Sequence, residues 1–169
     1  SIQRMGTEDI FFITKKGDVY FYSSENSKIK KFNAFQGEVL AFFQGPGQSA
    51  LSSRGLSSPF PLGYISTTRG LYYFHTNEIN TGNIKFYPIA KGDYNGSTIF
   101  GDDPNNPIIS FSASGSHDDI YGSFFLRSAL TKNGEVYMWG LDAEAPKKVV
   151  LPEGESAVDV KAYGGVVYI

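Results

Sequence analysis

Thr14-Lys15-Lys16-Gly17-Asp18-Val19-Tyr20-Phe21 decides the fold, because the pattern returns twice. It recurs as Thr67-Thr68-Arg69-Gly70-Leu71-Tyr72-Tyr73-Phe74 and as Thr131-Lys132-Asn133-Gly134-Glu135-Val136-Tyr137-Met138. In each copy a Thr stands three residues before a Gly, and a Tyr stands three after it. An apolar stretch precedes every copy: Ile10 to Ile13, Tyr64-Ile65, and Phe124 to Leu130. Apolar run, polar turn with Gly, apolar run is the pattern of a β-hairpin. The Gly supplies the positive φ that a short hairpin turn demands. The pattern predicts three tight turns in which Gly17, Gly70 and Gly134 are equivalent and Tyr20, Tyr73 and Tyr137 pack alike.

A second anchor follows in register. Gly37-Glu38, Gly92-Asp93 and Gly154-Glu155 lie 20, 22 and 20 residues beyond the Gly of their hairpins. Each comes after a Lys followed by apolar residues: Lys31-Phe32, Lys85-Phe86-Tyr87 and Lys148-Val149-Val150. A fourth run closes each unit: Val39 to Phe43, Ile108 to Ala113, and Ala157 to Tyr163. Self-similarity at such a period is the mark of a repeat architecture. The expectation is an all-β chain, one repeat-built domain over 1–169 with four-stranded units at about 8–62, 63–122 and 123–165. Residues 166–169 then begin a fourth unit or close the first.

Composition agrees. The chain has 169 residues, enough for one domain with a sizeable core. Aromatics make up 15% of it, with 19 Gly, a mixture that favours strands and tight turns. No apolar stretch approaches the roughly 18 residues of a membrane-spanning helix. The formal charge of −2 argues against a nucleic-acid binder held by phosphate contacts. With no Cys, thiol catalysis and disulfide frameworks are excluded.

The third unit carries a more specific pattern. It reads Leu130-Thr131-Lys132-Asn133-Gly134-Glu135-Val136-Tyr137-Met138-Trp139-Gly140, then Pro146-Lys147-Lys148-Val149, then Val158-Asp159-Val160-Lys161-Ala162-Tyr163-Gly164-Gly165. This resembles the repeat of the regulator of chromosome condensation family. The first two units keep the Thr-x-x-Gly hairpin and the second anchor but have Tyr22-Ser23 and His75-Thr76 where the third has Trp139-Gly140. The resemblance implies β-propeller blades, and with them a regulatory propeller acting on a small GTPase as a minor alternative. The family's Gly-Gln-Leu-Gly segment is missing, and the determinants of nucleotide exchange do not map onto this chain. The family pattern also implies a bulge at Trp139-Gly140, which would leave Trp139 partly exposed and off the face of Tyr137.

Each candidate site also has a plainer reading. Gly92 to Leu126 holds Asp93, Asp102, Asp103, Asp118 and Asp119 and no Lys or Arg. Such a loop could offer oxygen ligands to Ca²⁺. Asp102-Asp103-Pro104-Asn105-Asn106-Pro107 is equally good turn chemistry, so a solvated, partner-contacting loop is preferred. Ser116-His117-Asp118-Asp119 lacks a nucleophile elbow and a second paired His. Binding candidates are therefore Asp102, Asp103, Asn105, Asn106, His117, Asp118 and Asp119, with no catalytic residue assigned and no cofactor expected. Gly45-Pro46-Gly47 lacks the Gly-Lys-Ser/Thr of a phosphate loop. Period two puts Lys28 and Lys30 outward and Ile29 inward, with Lys31 at a bulge or strand end. Asn95-Gly96-Ser97 is a glycosylation sequon, of use only on a secretory route.

Val166-Val167-Tyr168-Ile169 matches the apolar run before each hairpin and then stops, so a partner strand is expected from the segment near Ile10, a neighbouring subunit or further sequence. The leading expectation is a non-catalytic structural or interaction module that contacts other protein subunits, or glycan, through its loops. By compositional analogy it is a virion fibre or capsid-associated component, which places it on a virion or outside cells. The alternative is a hydrolase or lyase using the acidic loop with a divalent metal. That reading needs Asp102, Asp103, His117 and Asp118 in one pocket.

Overall fold

The computed structural model describes residues 2–5, 9–23, 27–32, 35–44, 63–74, 85–92, 98–118, 122–140, 143–163 and 165–169. Within these the chain is all-β, without a helix. The first sheet comprises β1 (Ile2–Met5), β2 (Asp9–Ile13), β3 (Val19–Ser23) and β4 (Lys28–Phe32). The second comprises β5 (Val39–Gln44), β6 (Gly63–Thr67), β7 (Gly70–Phe74) and β8 (Tyr87–Pro88). The third comprises β9 (Ile108–Asp118), β10 (Gly122–Thr131), β11 (Val136–Gly140) and β12 (Ala143–Lys148). Each is an antiparallel meander in which spatial order follows chain order. A last hairpin pairs β13 (Lys161–Tyr163) with β14 (Val166–Tyr168).

All three Thr-x-x-Gly segments turn between antiparallel strands, but they form two kinds of turn. In the first sheet Thr14 N donates to Asp18 O (2.9 Å) and Gly17 N to Thr14 O (3.1 Å). In the third, Thr131 N donates to Glu135 O (2.9 Å) and Gly134 N to Thr131 O (3.0 Å). Both glycines sit at φ 81°, closing a three-residue hairpin loop in the left-handed region. The Thr hydroxyl oxygen accepts the backbone N–H of Asp18 or Glu135 at 3.2 Å, which is why a Thr opens the turn. In the second sheet Thr67 pairs directly with Gly70 across the two residues Thr68-Arg69. Gly70, at φ 126°, is there a strand residue rather than the turn closer.

The shorter middle turn shifts β7 by one residue against its counterparts, so Tyr73 is not equivalent to Tyr20 and Tyr137. Two positions before the Thr, the cross-strand pairs are Phe12–Tyr20, Ile65–Tyr72 and Ala129–Tyr137. Four positions before, they are Ile10–Tyr22, Gly63–Phe74 and Arg127–Trp139. These pairs define the rear face of each sheet; the alternate positions define its forward face.

Successive sheets pack forward face to rear face. Phe11, Val19, Phe21 and Phe32 of the first sheet meet Ile65, Tyr72, Phe74 and Phe86 of the second in one buried cluster. Phe11 lies 5.2 Å from Phe42 and 5.0 Å from Phe74 between ring centroids, within aromatic contact range. Tyr64 and Leu71 on the forward face of the second sheet meet Phe111, Ala129 and Trp139 of the third. There Ser66 Oγ donates to Ile108 O at 2.9 Å, which satisfies a buried hydroxyl. Leu130 and Val136 on the forward face of the third sheet pack on Val160, with Val149, Leu151 and Ala157 around them. The first strands also adjoin in sequence: β1 lies against β5, β5 against β9, and β9 against β13.

Several expectations are corrected. Trp139 is 2% exposed, shares its face with Tyr137, and both rings pack on Phe100 at 5.4 and 5.0 Å. The β11–β12 ladder does shift register between Met138 and Gly140, but the neighbouring sheet covers the indole there. Val39 to Phe43 and Ile108 to Ala113 are not fourth strands of the preceding units; they open the second and third sheets as β5 and β9. Ile29 points outward at 61% exposure, and Lys31 lies in a regular ladder opposite Tyr20. The terminal run is not without a partner, since Val166 to Tyr168 pairs with Lys161 to Tyr163.

Candidate functional site

The acidic loop is built as a turn that grips the third hairpin. Asp103 Oδ1 accepts the backbone N–H of Asn105 at 2.8 Å, and its carbonyl accepts that of Asn106 at 3.1 Å. Asn106 Oδ1 then accepts Asn133 N at 2.8 Å, while its Nδ2 donates to Glu135 Oε2 at 3.1 Å. Glu135 also takes Lys148 Nζ at 2.5 Å and the Tyr137 hydroxyl at 3.3 Å. The bond from Lys148 comes first in holding the Glu135 carboxyl below its ordinary range, and burial followed by the Glu135 charge raises the Tyr137 phenol. Asp18 and Lys31 form the corresponding pair in the first sheet, at 2.7 Å. Asn106 is thus a structural clasp, while Asp102, Asp103 and Asn105 are exposed.

The catalytic constellation is not brought together. Asp102 and Asp103 precede β9, whereas His117 and Asp118 end it. Eleven strand residues at about 3.3 Å each put the two groups on the order of 30 Å apart. The side chains of His117 and Asp118 lie outside the described residues, as do Asp119, Asp93, His75, the sequon and the Gly45-Pro46-Gly47 loop. Among the described residues no three His, Asp or Glu side chains converge as a Ca²⁺ site would require. An open groove of about 470 Å³ lies beside the first hairpin, lined by Lys16, Asp18, Phe32, Phe35 and Glu38.

A second polar cluster moors the C-terminal hairpin to β9. Ser110 Oγ donates to Asp159 Oδ1 at 2.5 Å, Val160 N donates to the same oxygen at 2.9 Å, and Ala162 N donates to Ser112 Oγ at 3.0 Å. Those bonds, the Ser110 hydroxyl first, hold the Asp159 carboxyl below its ordinary range. The mooring turns Ala162 and Val167 inward. Tyr163 (76%), Val166 (51%), Tyr168 (59%) and Ile169 (53%) are left exposed.

Two further groups were missed in the sequence. Arg127 Nε donates to Tyr64 Oη at 3.2 Å, and its guanidinium lies 5.9 Å from the Trp139 ring centroid, bridging the second and third sheets. Burial pushes the Tyr64 phenol up, so it stays protonated at the interface. The other group is the rear face of the first sheet: Ile10, Phe12, Tyr20 and Tyr22 half-buried, with Phe12 stacked on Tyr20 at 5.3 Å and 9°. A signal was present, because Ile10-Phe11-Phe12-Ile13 is apolar at both parities, the mark of a strand meant to be covered on both faces. No known protein family, curated protein or solved structure matches this chain.

Proposed function

We propose that this chain is a non-catalytic interaction module made of propeller-type blades, three complete and a fourth begun, whose connections and end faces engage protein partners. The observation that carries the reading is the run of first strands, β1 against β5, β5 against β9, and β9 against β13. Four-stranded meanders packed face to face through their twist, with their first strands gathered on one side, fan about that side as propeller blades do. No comparable contact joins the fourth strands β4, β8 and β12 among the described residues. Propellers close with roughly four to eight blades, so such a fan presents two end faces for further sheets. The hydrolase or lyase alternative draws on Asp102, Asp103, His117 and Asp118, and the length of β9 argues against a shared pocket for them.

Distances between spin labels test the fan. The chain has no Cys, so introduced cysteines label uniquely. Leu40→Cys with Ile109→Cys reports the first strands of the second and third sheets, and Pro88→Cys with Lys147→Cys reports their outer strands. The outer pair is expected to be clearly farther apart than the inner pair. Equal distances, or the reverse order, would replace the fan with a flat stack and remove the propeller reading.

A further inference from the structure

We infer that the open groove beside the first hairpin is a binding site for a neutral saccharide, a pyranose unit of a glycan. The site stands apart from the blade reading, because one hairpin and the connection from β4 to β5 build it. Its floor is apolar: Phe32 is 8% exposed, and Phe35 is half-buried and perpendicular to Phe86, with ring centroids 5.1 Å apart. Its rim is polar: Lys16 and Asp18 flank Gly17 on one side, and Glu38 follows Gly37 on the other. An added Cβ at Gly17 would stand 3.2 Å from Glu38 Cγ and 3.9 Å from its Oε1. The glutamate side chain therefore crosses the turn and brings its carboxylate to the same opening as Lys16 and Asp18. The volume of about 470 Å³ falls within the roughly 300–1,000 Å³ of ligand sites.

The fold does not leave this space by default. Thr67 pairs with Gly70 as Thr14 bonds Asp18, and Tyr72 pairs with Pro88 as Tyr20 pairs with Lys31. Gly70 and Ile89 of the second sheet are therefore the counterparts of Asp18 and Phe32. There the chain fills the place itself. Ile99 lies so close to Gly70 that a Cβ there would collide with it. Leu71 N donates to Phe100 O at 2.8 Å, and Phe100 N donates to Ile89 O at 2.7 Å, which buries Ile89 and Phe100 together. In the first sheet Asp18 and Phe32 line open space instead.

The charges choose the occupant. Lys31 neutralises Asp18 at 2.7 Å, and Lys16 offsets Glu38, so the rim carries no net charge. A phosphate would face two carboxylates, and an amine would face two ammonium groups. The Lys16 ammonium and the Glu38 carboxylate have no bonding partner among the described residues, so one is a free donor and the other a free acceptor. A pyranose satisfies both at once. Its hydroxyls accept from Lys16 and donate to Glu38 in charge-assisted bonds, while its C–H face lies on the Phe35 ring.

Amide chemical-shift titration of the full chain tests this. The probes are the methyl glycosides of glucose, galactose, mannose and N-acetylglucosamine, with N-acetyl-lysine amide and inorganic phosphate as charged counterparts. At least one glycoside is expected to move the amides of Lys16 to Asp18 and of Phe35 to Glu38 saturably at millimolar concentration. The charged probes are expected to leave them in place. Lys16→Ala and Glu38→Ala, both at exposed side chains, are each expected to weaken that binding about tenfold, the cost of one charge-assisted bond. An unchanged amide pattern in the third sheet shows that a variant is folded, and Lys16→Ala carries the test if Glu38→Ala fails to fold. No movement of those amides by any glycoside at tens of millimolar overturns the inference. So does binding that persists undiminished in either folded variant, or a groove that takes the lysine amide or phosphate in place of every glycoside. The label distances report other residues, so failure of the site and failure of the blade reading remain separate results.

Discussion

The first and second sheets share one plan and differ in company. In the second, every residue of Gly63–Thr67 is buried, as are all but Tyr73 of Gly70–Phe74. In the first, Phe11, Val19 and Phe21 are buried, while Phe12, Tyr20 and Tyr22 at the alternate positions are only half-covered. The difference is not composition, because both sheets are aromatic on both faces. It is the number of neighbours among the described residues: there the second sheet is sandwiched, and the first is covered on its forward side alone. Burial in this molecule is set between sheets, and pairing within a sheet sets only which face a residue joins.

The largest test compares equivalent aromatic positions. Phe74→Ala removes a ring that packs on Phe11, Phe42 and Phe86 and is expected to cost about 3–5 kcal/mol. Tyr22→Ala, at the same ladder position in the first sheet, is expected to cost under about 1.5 kcal/mol in the monomer. Urea denaturation of both variants measures this, and similar costs would break the contrast. Next come the two kinds of turn. An added Cβ at Gly70 would collide with Ile99 and stand 3.2 Å from Phe100 O, whereas at Gly134 it would meet only Ser156 at 4.0 Å. Gly134→Ala is thus expected to show only the left-handed backbone cost of about 1–2 kcal/mol, and Gly70→Ala clearly more. A thermal scan that ranks them the other way would undo the assignment of the middle turn.

A smaller effect should change sign between equivalent tyrosines. The Tyr72 hydroxyl is buried between the first two sheets without a hydrogen-bond partner among the described residues, while Tyr137 bonds Glu135. Tyr72→Phe is expected to leave stability unchanged or raise it by about 1 kcal/mol, and Tyr137→Phe to lower it slightly. A large loss at Tyr72→Phe would reveal a partner for that hydroxyl. Smallest is the pH effect on the moored hairpin. Asp159 is held below its ordinary range, so its contribution is complete above that range and disappears as pH falls through the lowered value. Amide exchange at Lys161 to Tyr163 should quicken over that acid window, and Asp159→Asn should remove the pH dependence. Exchange that quickens with rising pH beyond the intrinsic chemical rate would contradict it.

What the sequence discloses is local. The hairpins were readable because Thr and Gly do their work within a few residues, through one hydroxyl and one positive φ. Strand partners were not. Val39 to Phe43 is the same apolar run whether it ends one sheet or begins the next, and only its ladder with Gly63–Thr67 decides. The equivalence expected of Tyr73 misses by one residue, because Thr-x-x-Gly suits both a two-residue and a three-residue turn. Trp139 and Ile29 were misplaced for a different reason: exposure depends on which sheet stands next to them. As for the candidate site, Asp102 to Asn106 was legible as turn chemistry. Its separation from His117 was not, since the expected strand ended at Ala113 and β9 runs on to Asp118.

The central claim is that covering by a neighbouring sheet orders the stability of equivalent positions. Native-state hydrogen exchange at the amides of Tyr20, Tyr72 and Tyr137, which hold one ladder position in the three sheets, tests it most directly. In the monomer Tyr72 is expected to exchange slowest, near the limit of global unfolding, Tyr137 next, and Tyr20 fastest. A Tyr20 amide as protected as that of Tyr72 in the isolated monomer would contradict the account.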